Sequence, residues 1–133
     1  MLIVVTVFAA LAGLLHVVIF AMESLLFMKP QVHRDRFGVA DPKDAQVIRP
    51  WAFNQGFYNL FLGIGAIVGA VMIHCDPPTT GWTLIVFACG SMLAAAIVLV
   101  SGDRNYLKAA ATQGLFPAIA LIATLINCLW TVN

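Results

Sequence analysis

The sequence predicts an all-α integral membrane protein, a four-helix bundle in which residues 1–133 form one transmembrane domain. Three observations predict it. The 133 residues are 62% hydrophobic and 10% charged, more apolar surface than a soluble domain of this length can hide from water. The apolar residues fall in four runs, and one bilayer crossing takes about 20 of them at about 1.5 Å rise each. All seven Lys and Arg residues lie in two of the polar segments between those runs. Basic loops stay in the cytoplasm. The expected location is therefore the inner (plasma) membrane, crossed four times, with both basic loops inside and both termini on the far side. The lipid bilayer is the expected partner. No nucleic-acid partner is expected, because topology accounts for the basic residues of a chain whose net charge is +1.

Span one covers about residues 2–27. No Lys or Arg precedes it, the run is too long for a signal h-region, and Glu23 interrupts its end. It reads as a retained span and not as a cleaved signal. The long cytoplasmic loop, Met28–Pro50, carries Lys29, Arg34, Arg36, Lys43 and Arg49. Within it Asp41-Pro42-Lys43-Asp44 reads as a helix start. Asp41 is the N-cap, Pro42 suits the first helical position, and Asp44 puts an acid in the positive first turn. A short helix to Arg49 is expected, with Pro50 restarting the chain.

Span two covers about 51–73, span three about 82–101 and span four about 114–132. The outer turn His74–Gly81 contains Pro77-Pro78 and no Lys or Arg, and the inner loop 102–113 carries Arg104 and Lys108. Trp51 falls at the inner boundary, Trp82 and Trp130 at the outer one, the level that indole prefers. Gly65-Ala66-Ile67-Val68-Gly69 in span two and Ala94-Ala95-Ala96 in span three allow helices to approach closely, within the chain or between subunits. Pro117 sits three to four residues into span four and reads as a helix-start residue. No inverted repeat of the transporter kind stands out. Cys75 and Cys128 fall near the outer face, where a bridge between them is open but not favoured, and Cys89 lies mid-membrane. His74-Cys75-Asp76 cannot easily chelate one ion, so no metal site is expected.

The informative residues are those that hydrocarbon should reject. Span one carries His16 and Glu23, seven apart and on nearly one helical face. Span two opens with Asn54-Gln55-Gly56-Phe57-Tyr58-Asn59, where Gln55 and Asn59 share one face and Asn54 and Tyr58 the next. Span four opens with Gln113. By the topology above, Glu23, Asn54, Gln55, Tyr58, Asn59 and Gln113 all lie in the cytoplasmic third. A carboxylate there costs on the order of a few kcal/mol and needs donors. The amides, Tyr58, and Arg49 or Arg104 are the candidates. The expectation is one polar cluster near the cytoplasmic face that binds, or binds and transforms, a small amphipathic or lipophilic ligand. Glu23 would be its catalytic acid/base, with Asn54, Gln55, Tyr58, Asn59, Gln113, Arg49 and His16 as ligand-binding residues. Two alternatives stand beside it. One is an oligomeric proton-coupled carrier with His16 and Glu23 as relay. The other is a structural or assembly subunit in which the cluster only clamps helices. The residues name no cofactor.

The pattern Glu23 … Asn54-Gln55-Gly56-Phe57-Tyr58-Asn59 … Gln113-Gly114-Leu115-Phe116-Pro117-Ala118 resembles a bacterial integral-membrane family known only as a domain of unknown function, DUF1304. The resemblance covers nearly the whole chain and implies four spans, with no activity to carry over. The opening of span two is also similar to the MAPEG superfamily of membrane-associated eicosanoid and glutathione enzymes. Those proteins have an Arg, an Asn, a Glu and often a Tyr ahead of an apolar run, and Arg49, Asn54, Tyr58 and Leu60-Phe61-Leu62 look similar. Gly56 or Phe57 stands where that Glu would be, and the register needs a one-residue shift. This likeness implies a homo-oligomer, a trimer, with its ligand between neighbouring subunits.

Overall fold

The computed structural model describes residues 1–132, which are helical apart from short connections. Helix α1 (Leu2–Phe20) runs straight into one π-helical turn, Ala21–Leu25. A four-residue helix α2 (Pro30–His33) follows, then α3 (Pro42–Met72), α4 (Thr79–Gly102), a 3-10 turn (Arg104–Tyr106) and α5 (Leu107–Val132). The protein is thus all-α with four long helices, each long and apolar enough to cross a membrane.

Helix α3 begins where its capping residues direct. Pro42 opens it, the Asp41 carboxylate accepts from the Lys43 amide at 2.8 Å, and Asp44 lies in the first turn. It does not stop at Arg49, however. The helix continues through Pro50 for 31 residues. Proline removes one donor, the partner of the Gln46 carbonyl four residues back. Gln46 to Trp51 are all exposed, so the lost bond falls on an exposed stretch of the helix. Pro117 differs from the expectation in the same way. Helix α5 starts at Leu107, not near residue 114, and the fully buried Pro117 lies well inside it. Its ring leaves the Gln113 carbonyl without the usual helical donor.

The chain divides into two compact units, residues 1–15 with 62–132, and residues 16–61. In the first unit all four long helices contribute to one core: Val5, Ala9 and Ala12 from α1, Ala66 and Ala70 from α3, Ile85, Ala88, Cys89 and Met92 from α4, and Ala120 and Ala123 from α5, with Ile73 just beyond α3. Most of these residues are alanine. Many large side chains point outward instead: Ile3, Phe87, Val98 and Leu125 are 61–76% exposed. In water such a distribution would be unstable. In lipid, bulk gains nothing by hiding, and helices associate by close backbone approach.

Glycines mark those approaches. A Cβ on Gly13 would stand 2.7 Å from the Gly63 carbonyl oxygen and 2.6 Å from Ile67. A Cβ on Gly69 would meet Ile85 at 2.9 Å, and one on Gly81 would run into the Ile73 backbone. The Gly65–Gly69 pattern therefore serves packing against α4 within the chain. Near the ends of the same helices, the Thr6 hydroxyl meets His74 Nε2 at 2.9 Å. Cys75, Cys89 and Cys128 are all free thiols.

The second unit holds the end of α1, the π turn, α2 and the first turns of α3. Its loop is closed by a reciprocal pair. The Val39 amide donates to the His33 carbonyl at 2.7 Å, and His33 Nδ1 lies 2.6 Å from the Val39 carbonyl. A carbonyl only accepts, so Nδ1 carries the proton. Gly38, at φ +71°, supplies the left-handed residue this turn needs. The Phe27 and Phe37 rings pack beneath it, 5.5 Å apart.

Gly13→Ala is expected to lower stability in detergent by about 1–3 kcal/mol, the usual penalty of overpacking. Gly90→Ala, whose Cβ would meet nothing within 4 Å, is expected to leave it unchanged or raise it slightly. Thermal melts of the two variants check this; equal losses would mean that helix approach at Gly13 is not limiting.

Candidate functional site

Glu23 is the chain's only glutamate, and it sits in the π turn that ends α1. That turn is closed by the Leu26 amide on the Ala21 carbonyl at 2.9 Å, five residues back. A π turn is wider than an α turn and is frequent at functional sites. Here it lets two consecutive side chains address α3. Glu23 Oε2 accepts from Asn59 Nδ2 at 2.7 Å, and Ser24 Oγ donates to the Phe53 carbonyl at 2.9 Å. The two helices come this close because of Gly56. A Cβ there would run into Ser24 Oγ and stand 3.1 Å from the Glu23 Cβ.

Asn59 is held as well as holding. Its Nδ2 makes a second bond, to the Gln55 carbonyl one turn back, at 3.3 Å. Rings flank the pair along both helices. Phe20, three residues before Glu23, meets Phe57 edge-on with centroids 5.1 Å apart. Phe57 in turn lies 5.1 Å from Phe53 and 6.1 Å from Phe61. Edge-to-face aromatic pairs contribute about 0.5–1.5 kcal/mol each beyond their area, so the rings fix the helix crossing and the hydrogen bond fixes its register.

The structure joins Glu23 to Asn59 directly and to Gln55 through that residue's backbone. Asn54, Gln55 and Tyr58 have exposed side chains on α3. Arg49 is also exposed, ten residues before Asn59 and so about 15 Å away along the helix axis. His16 is buried at 2% exposure, in the same unit as Glu23. Gln113 and Arg104 belong to the other unit, where Gln113 is half-buried and Arg104 exposed. Two shallow grooves, one along Gly38–Ile48 and one at Val100, Ser101, Arg104 and Leu107, include neither Glu23 nor Asn59. Among the described residues no three His, Cys, Asp or Glu side chains gather as a metal site. Sequence reasoning missed Ser24, the role of Gly56, and the Phe20–Phe57 contact. The available signal was the Ser beside the intramembrane acid and a Gly within an amide-rich helix start.

The family model for a protein of unknown function, DUF1304, matches residues 10–125. The chain belongs to the DUF1304 family. The matched stretch contains His16, Glu23, the whole Asn54–Asn59 block and Gln113. No curated protein and no solved structure matches this DUF1304 chain. None of these comparisons links the chain to the MAPEG enzymes.

Removing one partner of the Glu23–Asn59 bond should cost more than removing both. Asn59→Leu is expected to destabilise the protein by about 1–3 kcal/mol, the penalty of an unpaired polar group. The double variant Glu23→Leu with Asn59→Leu is expected to recover part of that loss. A double-mutant cycle of thermal melts in detergent measures the coupling, and additive losses would show that the bond contributes nothing.

Proposed function

We propose that this DUF1304 protein binds a small amphipathic or lipophilic ligand within the membrane, at a polar site near the cytoplasmic face built around Glu23. The observation that supports it best is the Glu23–Asn59 hydrogen bond at 2.7 Å, formed by the one glutamate of an apolar chain at a π turn. A clamp between helices is made as well by two amides, and at lower cost than by an acid. Glu23 is the acid/base candidate should the ligand be transformed. Asn54, Gln55, Tyr58 and Asn59 would orient the ligand's polar end, and Arg49, Gln113 and His16 are the outlying candidates.

The exposed Asn54, Gln55 and Tyr58 favour a homo-oligomer in which a neighbouring copy covers them, since amides facing lipid lack partners. Three copies is the number that the MAPEG likeness suggests. A second reading, a proton-coupled carrier, draws on the buried His16 seven residues from Glu23 on the same helical segment. It predicts solute flux in proteoliposomes that Glu23→Gln abolishes.

Mass spectrometry of small molecules that co-purify in mild detergent tests the main reading. An amphipathic compound is expected with the wild-type protein and at least tenfold less of it with Glu23→Gln, at equal thermal stability. Equal recovery from both proteins would reduce Glu23 to a helix clamp. The orientation has its own check. A membrane-impermeant maleimide is expected to label the exposed Cys75 in intact cells, and labelling only after permeabilisation would invert the topology.

A further inference from the structure

The hydrogen-bond inventory of the Glu23 site points to the charge of its ligand. Asn59 Nδ2 has two hydrogens, and both are engaged, one by Glu23 Oε2 and one by the Gln55 carbonyl. What Asn59 has left is its carbonyl oxygen, Oδ1, an acceptor. What Glu23 has left is Oε1, in the ionised form also an acceptor. Neither side chain is fully exposed, yet among the described residues no buried side-chain oxygen or nitrogen lacks a partner. Neither remaining oxygen is therefore wholly shut away from the surface of the unit. A ligand that satisfies both must bring donors, and one that also neutralises the carboxylate must bring positive charge. An anion would meet only acceptors.

The surroundings agree. Phe20, Phe57, Phe53 and Phe61 form a connected ladder of rings on the same two helices, with Phe20 one turn before Glu23. Carboxylate and aromatic faces together are the usual receptor for organic ammonium ions, because ring faces attract cations and rings also accept apolar substituents. The nearest cationic side chain on α3, Arg49, is exposed and about 15 Å along the axis from Asn59.

We infer that the ligand is a hydrophobic amine in its protonated form, its N–H groups donating to Glu23 Oε1 and Asn59 Oδ1 and its apolar part lying along the Phe20–Phe57–Phe61 rings. This rests on the reading of Glu23 as a ligand site and adds the class of ligand.

The test uses three probes with one tail: decylammonium, decanol and decanoate. Each is titrated calorimetrically into the full chain in phosphatidylcholine nanodiscs, with the heat of empty nanodiscs subtracted. Decylammonium is expected to bind, to bind at least tenfold more weakly to Glu23→Gln, and to be preferred at least tenfold over decanol, while decanoate shows no saturable binding. Decanol or decanoate binding as tightly as decylammonium, and weakened by Glu23→Gln, would overturn the amine assignment and leave the ligand site standing. Absence of decylammonium binding would also overturn it, and the co-purification comparison then decides the site by itself. If Glu23→Gln does not fold, the wild-type protein serves. Dicyclohexylcarbodiimide, which enters lipid and modifies carboxyl groups there, is expected to label Glu23, and decylammonium to slow that labelling at least fivefold. Labelling unaffected by decylammonium would overturn the proposal.

Discussion

A bilayer gives apolar side chains nothing for being buried and gives polar ones no solvent to fall back on. Most of what this structure does follows from that single constraint. The core of the first unit is built largely of alanine, and glycines stand where a Cβ would collide with a neighbouring backbone. Leucine, valine and phenylalanine cover the outside. What holds the helices is nearness, which small residues permit and large ones prevent.

The second unit answers the other half of the constraint. Its carboxylate meets an amide, its serine a backbone carbonyl and its loop histidine another. Gly56 couples close packing to polar pairing. The absent side chain at that position brings the π turn against α3, and only at that separation does the Asn59 amide reach Glu23. Packing and polar pairing are therefore not separate contributions here. Bulk at one position would move the donor away from the acid at another.

The long helices show where reading a sequence by local rules fails. Pro50 and Pro117 are both breakers by propensity, and both lie inside continuous helices. A proline costs about 3 kcal/mol or more in a helix interior, but it ends the helix only if another conformation is cheaper. For the buried Pro117, inside an apolar helix, the alternative is an unsatisfied backbone, which is worse, whereas Pro50 lies in an exposed stretch of α3. The apparent helix starts at Trp51 and Gly114 were the edges of apolar runs, and helices α3 and α5 begin nine and seven residues earlier.

Composition, the four apolar runs and the placement of the basic residues were enough to read an all-α chain with four membrane-length helices, because crossing a bilayer demands a length and an apolarity that few other structures need. Those residues also marked Glu23 and the Asn54–Asn59 block as out of place in hydrocarbon. Which amide the acid would meet was beyond them. Gln55 and Asn59 are alike in chemistry, and the choice between them turns on helix rotation and separation. Those were decided by a π turn that shifts Glu23 by a fraction of a turn, a glycine that admits it, and rings that hold the crossing. Such distances arise between segments far apart in the chain, and no local pattern encodes them.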